Sequence, residues 1–558
     1  MQIERITVIG SGAMGSGIAQ VFARAGYRVA LFDAAPPQLD RALVAITGSL
    51  SREVAKGRLS SEEAEQVVGR LSAHVDLADA VAGSDLVLEA IVEDMTVKRQ
   101  LFSQLAGCCA DHTILASNTS SLSIGEMGLA SGRPDLFVGL HFFNPPPVMK
   151  LVEVIRGTET SQETVDAALG VVERIGKTPV LVADFPNFIV NRIARPLYLQ
   201  SQLLLSDGIA AQDIDKALRL GGGLRMGPLE LLDMIGLEPH LASSMTAFRE
   251  WGDPRFRPVP IVKRMVRAGH VGRKSGRGFY RYVDGEQIPL CLSATWPAKT
   301  GHLGPIGILG EGADADSLRG ALGSRGCRVL GLGNRGEEDS RLGEAAVIIV
   351  ASDADQTELL GVFGKLGRVC APAAVLVSTS AFAYPEALGV ASARSDRVIG
   401  LHRPLSIFER DFFEVGTGPD TSDETVAVAL GLVAKLGCDA VVTPHRASYL
   451  VNSVLIPMIN EAAFALLEGL ASREDIDLAI RLGLNHPFGP LELADHIGVD
   501  FVLRVMNTLQ EEYADDRYRP CILLKQMVRA GHLGRKTGRG FYVYAGECEH
   551  PLTESGKR

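Results

Sequence analysis

The chain repeats itself, and this duplication constrains its fold more than any other feature of its 558 residues. Residues 308–312 match residues 8–12 at a shift of 300, and residues 326–329 match residues 26–29 at the same shift. From Ala346 onward the shift is 261, so the second copy lacks 39 residues, the difference between 300 and 261. Because self-similar segments fold alike, the sequence predicts one arrangement of domains built twice.

A glycine-rich turn follows the first predicted strand. Residues 5–9 are an apolar run typical of a buried parallel strand, residues 18–25 indicate a helix, and a second strand over residues 28–32 ends in an acid. The glycines permit a tight turn, close approach of a pyrophosphate and close helix packing, while the acid binds the adenosine ribose and repels a 2′-phosphate. We therefore predict an NAD site formed by Gly10, Gly12, Ala13, Met14, Gly15 and Asp33.

The rest of the first copy continues as a Rossmann-type α/β alternation and then becomes helical. A helical hairpin is predicted over residues 37–79, strands over residues 86–90, 113–117 and 137–140, and helices over residues 189–205, 214–220 and 229–235. The predicted fold class is α/β plus all-α. Its predicted domains are a Rossmann domain (1–184), a helical domain (185–283), a linker (284–305), a degenerate Rossmann-like domain (306–440), a second helical domain (441–545) and a tail (546–558).

A histidine and an acid lie near the end of the first α/β domain. His141 precedes a turn containing Pro145 and Pro146, and Glu153 follows twelve residues after the histidine. A bend and a strand can bring the two side chains together, and a carboxylate beside an imidazole orients the ring and favours its protonated form. A buried histidine satisfied by an acid is the structural alternative. The nearby nucleotide turn favours a proton-transferring pair.

Residues 117–121 form a second polar segment, at the carboxyl end of a predicted strand. Open parallel sheets bind their ligands at this edge. A simple helix cap before Ile124 explains the same residues equally well.

Composition limits the partners and the location of the protein. The net charge of -10 argues against general binding of nucleic acid or anionic membranes. The eight cysteines show no C-x-x-C spacing, so no metal site is predicted, and neither a signal peptide nor an apolar run of spanning length is evident. We expect a reducing, cytoplasmic location.

The first half resembles the L-3-hydroxyacyl-CoA dehydrogenase family over residues 1–283. The second half fits the longer members, and residues 193–196 and 518–521 make the chain most similar to the 3-hydroxyadipyl-CoA dehydrogenases of phenylacetate breakdown. The motifs that carry the resemblance lie at residues 10–15, 117–121, 141–145, 188–192, 227–230 and 272–280.

The resemblance implies a role for each site residue. His141 is expected to be the catalytic acid and base, with Glu153 as its partner and Ser120 and Asn191 around the substrate oxygens. Family positions that contact the cofactor are occupied by Asp33, Glu93, Lys98, Asn144 and Lys274, and positions that contact coenzyme A by Ser49 and Lys56.

The implied reaction is NAD-dependent oxidation of an (S)-3-hydroxyacyl-CoA to the 3-oxoacyl-CoA, with 3-hydroxyadipyl-CoA as the expected substrate. A dicarboxylate needs a cation at the far end of its pocket, because burial of an unpaired carboxylate is costly. Arg195 is the first candidate and Arg225 the second, although both are equally well explained as surface or interface arginines. The alternatives are a 3-hydroxybutyryl-CoA dehydrogenase and a non-catalytic NAD-binding protein.

The second copy has lost most of the matching site residues. It retains His402, Glu414 and Asn452, so we predict that it is catalytically silent. Helical domains of shorter family members meet across a dimer interface, so the two helical copies are expected to pack as an intrachain pseudo-dimer, with further homo-oligomerisation left open. The substituted positions are Ala315, Gly333, Ala354, Leu359, Ala381 and Leu405.

Overall fold

A computed structural model describes residues 3–293, 296, 303–332, 340–405 and 412–544. The replacement at Gly333, the predicted tail and part of the predicted linker lie outside these residues. The strands are β1 (Arg5–Ile9), β2 (Arg28–Phe32), β3 (Leu71–His74), β4 (Leu86–Glu89), β5 (Ile114–Ser117), β6 (Phe137–Phe142), β7 (Leu151–Arg156), β8 (Thr178–Ala183), β9 (Tyr280–Val283), β10 (Glu286–Pro289), β11 (Ile306–Leu309), β12 (Val329–Gly331), β13 (Val347–Val350), β14 (Val375–Ser378), β15 (Val398–His402), β16 (Phe412–Thr417) and β17 (Asp439–Pro444).

Helices cover the sheets and form the remaining layers. They are α1 (Ala13–Arg24), α2 (Pro36–Ala55), α3 (Ser61–Gly69), α4 (Leu77–Val81), α5 (Met95–Cys108), α6 (Ile124–Ala130), α7 (Gln162–Arg174), α8 (Val190–Ser206), α9 (Ala211–Leu220), α10 (Pro228–Ile235), α11 (Leu237–Trp251), α12 (Pro260–Arg267), α13 (Ala313–Ser324), α14 (Gln356–Val369), α15 (Pro385–Ser392), α16 (Asp423–Lys435), α17 (Tyr449–Leu467), α18 (Arg473–Gly483), α19 (Pro490–Ile497), α20 (Val499–Tyr513) and α21 (Ile522–Arg529). The predicted fold class is confirmed.

The first sheet has the order β3-β2-β1-β4-β5-β6-β7-β8. Neighbouring strands are parallel except β6 and β7, which pair antiparallel. Because β1 lies between β2 and β4, the chain leaves β1 at the point where the strand order reverses, which is where open α/β sheets bind nucleotides. The apolar side chains of β1, α1 and α2 share one core under this edge.

Within the described residues, the second sheet repeats this order without the outer strand. Its order is β12-β11-β13-β14-β15-β16-β17, and β15 and β16 form its antiparallel pair. Between β12 and β13 the described residues contain a single short 3-10 turn, Ser340–Glu344. The α2–α3 hairpin, Pro36–Gly69, spans 34 residues, so the deletion of 39 residues is larger than this hairpin.

The sequence-based boundaries were wrong in four places. The predicted hairpin over residues 37–79 ends at Gly69, and β3 and α4 follow it. With four residues and an outer position, β3 carries too little apolar pattern to be recognised. In addition, α1 begins at Ala13, β6 continues through His141 to Phe142, and the predicted linker begins with β10, which pairs with β9.

The chain forms two compact units that do not follow the order of the halves. The first contains the chain up to Ala194 together with Met245–Gly252 and Ala462–Leu491, and the second contains the rest of the described chain. Within the first unit α18 packs on β7 and β8, and within the second α9 packs on β16 and β17. Each helical copy therefore places one helix on the sheet of the other half.

Among the residues that the structure describes, one helix is long and apolar enough to cross a membrane. Tyr449–Leu467 has a mean hydropathy of 1.7 over its most apolar window, and 89% of that window is buried in the protein. This run was not predicted from the sequence. Burial of this extent is typical of a core helix of a globular protein.

Candidate active site

The glycine turn after β1 has the geometry that a pyrophosphate requires. Gly10 has a φ of +96°, and a Cβ there would lie 2.7 Å from the Ala90 carbonyl oxygen. A Cβ on Gly15 would lie 1.8 Å from the Gly10 oxygen, so both positions exclude a side chain. A Cβ on Gly12 would meet open space, which leaves room for a ligand beside the backbone. The first N–H groups of α1, from Ala13 and Met14, face this space as an anion site.

Asp33 is held as a carboxylate at the end of β2. Its Oδ2 accepts hydrogen bonds from the Ser11 N–H at 2.9 Å and the Ser11 hydroxyl at 2.8 Å, and its Oδ1 accepts from the Ala35 N–H at 3.0 Å. Burial alone would raise the pKa of Asp33, but the hydrogen bonds from Ser11 and Ala35 outweigh it and lower the pKa. An ionised acid beside an open glycine turn fits the ribose and pyrophosphate of NAD.

The strand register brings His141 and Glu153 together. They are directly opposite residues of the β6–β7 ladder, and His141 Nδ1 lies 2.6 Å from Glu153 Oε2. Glu153 Oε1 accepts hydrogen bonds from the N–H groups of Ile189 at 3.2 Å and Val190 at 2.9 Å, where α8 begins. Among the described residues none hydrogen-bonds Nε2 of His141, so this nitrogen remains available to a substrate proton.

Two further predicted residues lie at the same edge of the sheet. Asn191, the second residue of α8, donates from Nδ2 to the Ser120 carbonyl oxygen at 3.4 Å. The Ser120 hydroxyl donates to Glu93 Oε1 at 3.1 Å, and its N–H donates to the same oxygen at 2.9 Å. The polar turn after β5 is therefore more than a helix cap, because it connects Asn191 to Glu93.

A buried ion-pair network supports this turn. Lys98 donates from Nζ to Glu89 Oε1 at 2.5 Å and lies 3.4 Å from Glu93 Oε2. Burial would raise the pKa of Glu93, but the Lys98 ammonium and the hydrogen bonds from Thr119 and Ser120 lower it. Lys98 and Glu89 are almost fully buried. Lys98 therefore forms ion pairs inside the protein in addition to the cofactor contact predicted for it.

The other predicted contact residues are more scattered. Asn144 begins the turn after β6, with a cis bond to Pro145. Ser49 on α2 accepts a hydrogen bond from Gln20 at 3.2 Å, and the exposed Lys56 lies two helical turns further along. In the second unit Lys274 pairs with Glu238, and Arg225 is exposed.

Arg195 occupies a buried polar cluster in the second unit. Its guanidinium donates to the Ser244 hydroxyl at 2.8 Å, to the Ser243 hydroxyl at 2.7 Å and towards His240 Nδ1 at 3.3 Å. Burial lowers the pKa of Arg195 to about 10, and burial together with the arginine charge holds the pKa of His240 well below its usual value. No carboxylate of the described chain forms an ion pair with Arg195, so it is not an ordinary surface arginine.

The second copy keeps the catalytic residue types but not their contacts. His402 is opposite Glu414 in the β15–β16 ladder, yet its Nδ1 lies 3.4 Å from the Thr379 carbonyl oxygen. Its Nε2 is 3.1 Å from Nδ2 of Asn452, which occupies the position that is open in His141. Burial lowers the pKa of His402 to about 4 and raises the pKa of Glu414 to about 8, so both groups are largely neutral near pH 7.

The glycine turn of the second copy is also altered. Gly312 has a φ of +95°, whereas Gly12 has a φ of -64°. Ala315 replaces Gly15 and is fully buried, while Arg319 donates to the Gly310 carbonyl oxygen inside the turn. The first turn of α13 carries Asp314 and Asp316, which repel a pyrophosphate.

Sequence reasoning missed two residues of the first copy. Glu89 is the last residue of the otherwise apolar strand β4. An acid in such a buried run indicates that a cation, here Lys98, lies next to it. Arg192 follows Asn191 directly and is fully buried. An arginine in the first turn of a predicted buried helix indicates a buried acidic partner. The sequence does not show which acid this is, because Glu468 lies 276 residues further along the chain.

Comparison with known protein families identifies both halves. The model of the 3-hydroxyacyl-CoA dehydrogenase NAD binding domain matches residues 5–185 and 346–446. The model of the 3-hydroxyacyl-CoA dehydrogenase C-terminal domain matches residues 188–282 and 449–544. The predicted duplication is therefore confirmed in both kinds of domain.

Individual relatives support the same conclusion. The chain is 33% identical over 528 residues to the 3-hydroxyadipyl-CoA dehydrogenase of Escherichia coli K12, covering 94% of this chain and 98% of the relative. A probable 3-hydroxybutyryl-CoA dehydrogenase of Deinococcus radiodurans is 46% identical over 276 residues, 49% of this chain and 99% of the relative. A crystal structure titled 3-hydroxybutyryl-CoA dehydrogenase, from Escherichia coli K12, aligns with a TM-score of 0.76 at 30% identity, covering 95% of this chain and 100% of that one.

Replacement of Lys98 by leucine tests the buried ion pair. The change leaves the Glu89 carboxylate buried without its cation, and we expect the free energy of unfolding to fall by about 3–5 kcal/mol. The matched control is the double variant Glu89→Val, Lys98→Leu, which installs the residues found in the second copy at Val350 and Leu359. Urea unfolding should show recovery of most of the loss in the double variant. Equal instability of both variants would contradict the assignment.

Proposed function

Because the chain belongs to the 3-hydroxyacyl-CoA dehydrogenase family, we propose that its first half oxidises the 3-hydroxyl of an acyl-CoA to a ketone. The observation that carries this proposal is the 2.6 Å contact of His141 Nδ1 with Glu153, beside an open glycine turn suited to NAD. NAD, which the glycine turn and Asp33 would hold, would supply the acceptor for the hydride. The residues of the chain then have to bind and orient the substrate and remove the proton of its hydroxyl group.

His141 is the proposed general base. Glu153 accepts a hydrogen bond from the Nδ1–H group of His141, so Nε2 carries the lone pair that takes the hydroxyl proton. In the reverse direction the imidazolium returns this proton to the substrate. Glu153 is fixed by two backbone N–H groups as well as by His141, so the ring cannot turn away from this orientation. The carboxylate also stabilises the positive charge that develops on the ring.

Ser120 and Asn191 are proposed to hold the substrate oxygens. Each offers a side-chain donor near the candidate pair, and the Asn191 bond to the Ser120 carbonyl keeps the two residues together. Glu93 would release or share the Ser120 hydroxyl when substrate arrives, since that hydroxyl now donates to Glu93. The hairpin of α2 and α3, with Ser49 and Lys56, is the proposed contact for the CoA nucleotide.

The proposed acyl group is a dicarboxylate such as 3-hydroxyadipyl. Arg195 lies one helical turn after Asn191 on α8, and residues four apart share a helix face. Its buried charge lacks a carboxylate partner in the described chain, and a substrate carboxylate would supply one. The second copy replaces this polar cluster by apolar residues. At the positions of Arg195, Tyr198, Gln202, His240, Ser243 and Ser244 it carries Ile456, Ile459, Ala463, Val502, Val505 and Met506.

A short-chain substrate is the second candidate. Relatives named as 3-hydroxybutyryl-CoA dehydrogenases include one that is 46% identical over 276 residues. The chemistry at His141 would be the same for both acyl groups, so only the far end of the pocket separates them. A role in phenylacetate breakdown and a cytoplasmic location remain predictions from the sequence.

The second α/β copy is proposed to be silent, and the helical copies to pack as an intrachain pseudo-dimer. Arg255 of the first helical copy donates to Glu461 of the second at 2.6 Å, with both side chains buried. Asp253 pairs with Arg519 at 2.8 Å. Asp515 pairs with Arg257 at 3.8 Å, and this pair is related to the preceding one by a shift of 262 residues. Such reciprocal contacts are expected of an isologous interface.

The variant His141→Ala tests the catalytic assignment. We expect kcat to fall by about 10²–10⁴-fold, because positioned proton transfer is lost, while the affinity for NADH is unchanged. The matched control is His402→Ala, which should leave kcat unchanged. NADH absorbance with acetoacetyl-CoA measures turnover, and fluorescence titration measures NADH binding. Full activity in His141→Ala would refute the mechanism, and lost activity in His402→Ala would refute the silent second copy.

The variant Arg195→Met tests the acyl preference. We expect kcat/KM for 3-hydroxyadipyl-CoA to fall by about 10–100-fold, the value of a charged hydrogen-bonded pair, and kcat/KM for 3-hydroxybutyryl-CoA to change little. Arg225→Met is the control at the exposed second candidate. An equal loss on both substrates would assign Arg195 a purely structural role, and a selective loss only in Arg225→Met would transfer the assignment.

A chain ending at residue 290 tests the pseudo-dimer. Without the second helical copy, Arg255 and Asp253 lose Glu461 and Arg519, and an apolar surface is exposed. We expect a lower melting temperature and self-association into dimers, measured by calorimetry and analytical ultracentrifugation. A fully active monomer as stable as the whole chain would rule out the pseudo-dimer.

A further inference from the structure

The first turn of α8, which carries the candidate substrate-binding asparagine, is held by a residue of the second helical copy. Arg192 follows Asn191, and its side chain is fully buried. Its guanidinium lies 4.4 Å from the centre of the Trp251 ring, and its Nη2 donates to Glu468 Oε2 at 2.6 Å. Glu468 is 276 residues further along and directly follows α17.

Residues that follow Glu468 contact the first half at two further points, the end of β8 and the start of α8. The Ala183 N–H, at the end of β8, donates to the Leu470 carbonyl oxygen at 2.9 Å. At the end of α18, a Cβ on Gly483 would lie 2.8 Å from a methyl carbon of Val190. Val190 begins α8 and donates its N–H to Glu153. The second helical copy therefore packs against Val190, the residue whose N–H group holds Glu153.

The duplication provides a built-in comparison for Glu468. At a shift of 261 residues its counterpart is Asp207, which directly follows α8. Asp207 pairs with Arg446 at 2.9 Å, near the silent copy of the site. The counterpart of Arg192 is Ser453, so a buried cation beside the asparagine occurs in the first half and not at its second-half equivalent.

We propose that Glu468 is a positioning residue for the site in the first half, an inference that rests on the dehydrogenase activity proposed above. Its carboxylate neutralises Arg192 and so fixes the first turn of α8. That turn orients Glu153 through the N–H groups of Ile189 and Val190, and it carries Asn191. Loss of the Glu468 carboxylate weakens the hold on this buried guanidinium and lets the turn shift, and a displacement of about 1 Å in a site costs as much as about 10²-fold in rate.

The variant Glu468→Gln in the full chain tests this role. We expect kcat to fall by about 10–100-fold, while the affinity for NADH is unchanged because the glycine turn is not touched. Hydrogen exchange of the Ile189 and Val190 amides should become faster. The matched control Asp207→Asn should change neither kcat nor these amides. Adding Arg192→Met to Glu468→Gln removes the buried guanidinium that Glu468 balanced and should restore part of kcat.

The outcomes separate this inference from the proposed activity. Unchanged kcat and exchange in Glu468→Gln, or an equal loss in Asp207→Asn, overturns the positioning role. If Glu468→Gln does not fold, Gly483→Ala takes its place, because it presses on Val190 without changing a charge, and it should lower kcat at unchanged NADH affinity. If the wild-type chain itself does not turn over acyl-CoA, the proposed activity fails, and the exchange rates alone decide whether Glu468 fixes α8.

Discussion

Antiparallel pairing of β6 with β7 determines where chemistry can occur in the first half. The ladder makes His141 and Glu153 opposite residues, so their side chains leave the sheet on the same face. The start of α8 adds two N–H groups to the same carboxylate, which is thereby bound at three points. Strand register and the start of α8 together direct Nδ1 of His141 to Glu153 and leave Nε2 available to a substrate. The proposed base is thus a consequence of backbone geometry.

The second copy has the same backbone arrangement with different side-chain contacts. His402 and Glu414 have the same register, and Glu414 accepts the same two N–H groups. The Tyr449 ring, however, stacks on the His402 ring with centroids 4.7 Å apart, and Asn452 occupies its Nε2. Burial without an ion pair then favours the neutral form of both groups. Side-chain packing, more than strand pairing, distinguishes the two copies.

The sequence was sufficient for the features that depend on local pattern. Apolar runs and glycine spacing predicted β1, β2 and the nucleotide turn, and a spacing of twelve residues predicted the meeting of His141 with Glu153. It could not predict β3, because four residues at a sheet edge bury little surface. Nor could it predict the contact of Arg192 with Glu468. That contact depends on which helical copy packs on which sheet, and the two copies carry nearly the same pattern.

The exchange of helices between the halves gives a physical role to a second copy that is proposed to be silent. In that copy a buried polar pair of the first half is replaced as a unit, because Val350 and Leu359 occupy the positions of Glu89 and Lys98. Such replacements are neutral or stabilising when both partners change. The polar groups kept in the first half are therefore better explained by chemistry than by stability. The second half, whose own site is proposed to be silent, supplies α18 and Glu468 to the unit that contains the first site, so its fold serves that site even without activity of its own.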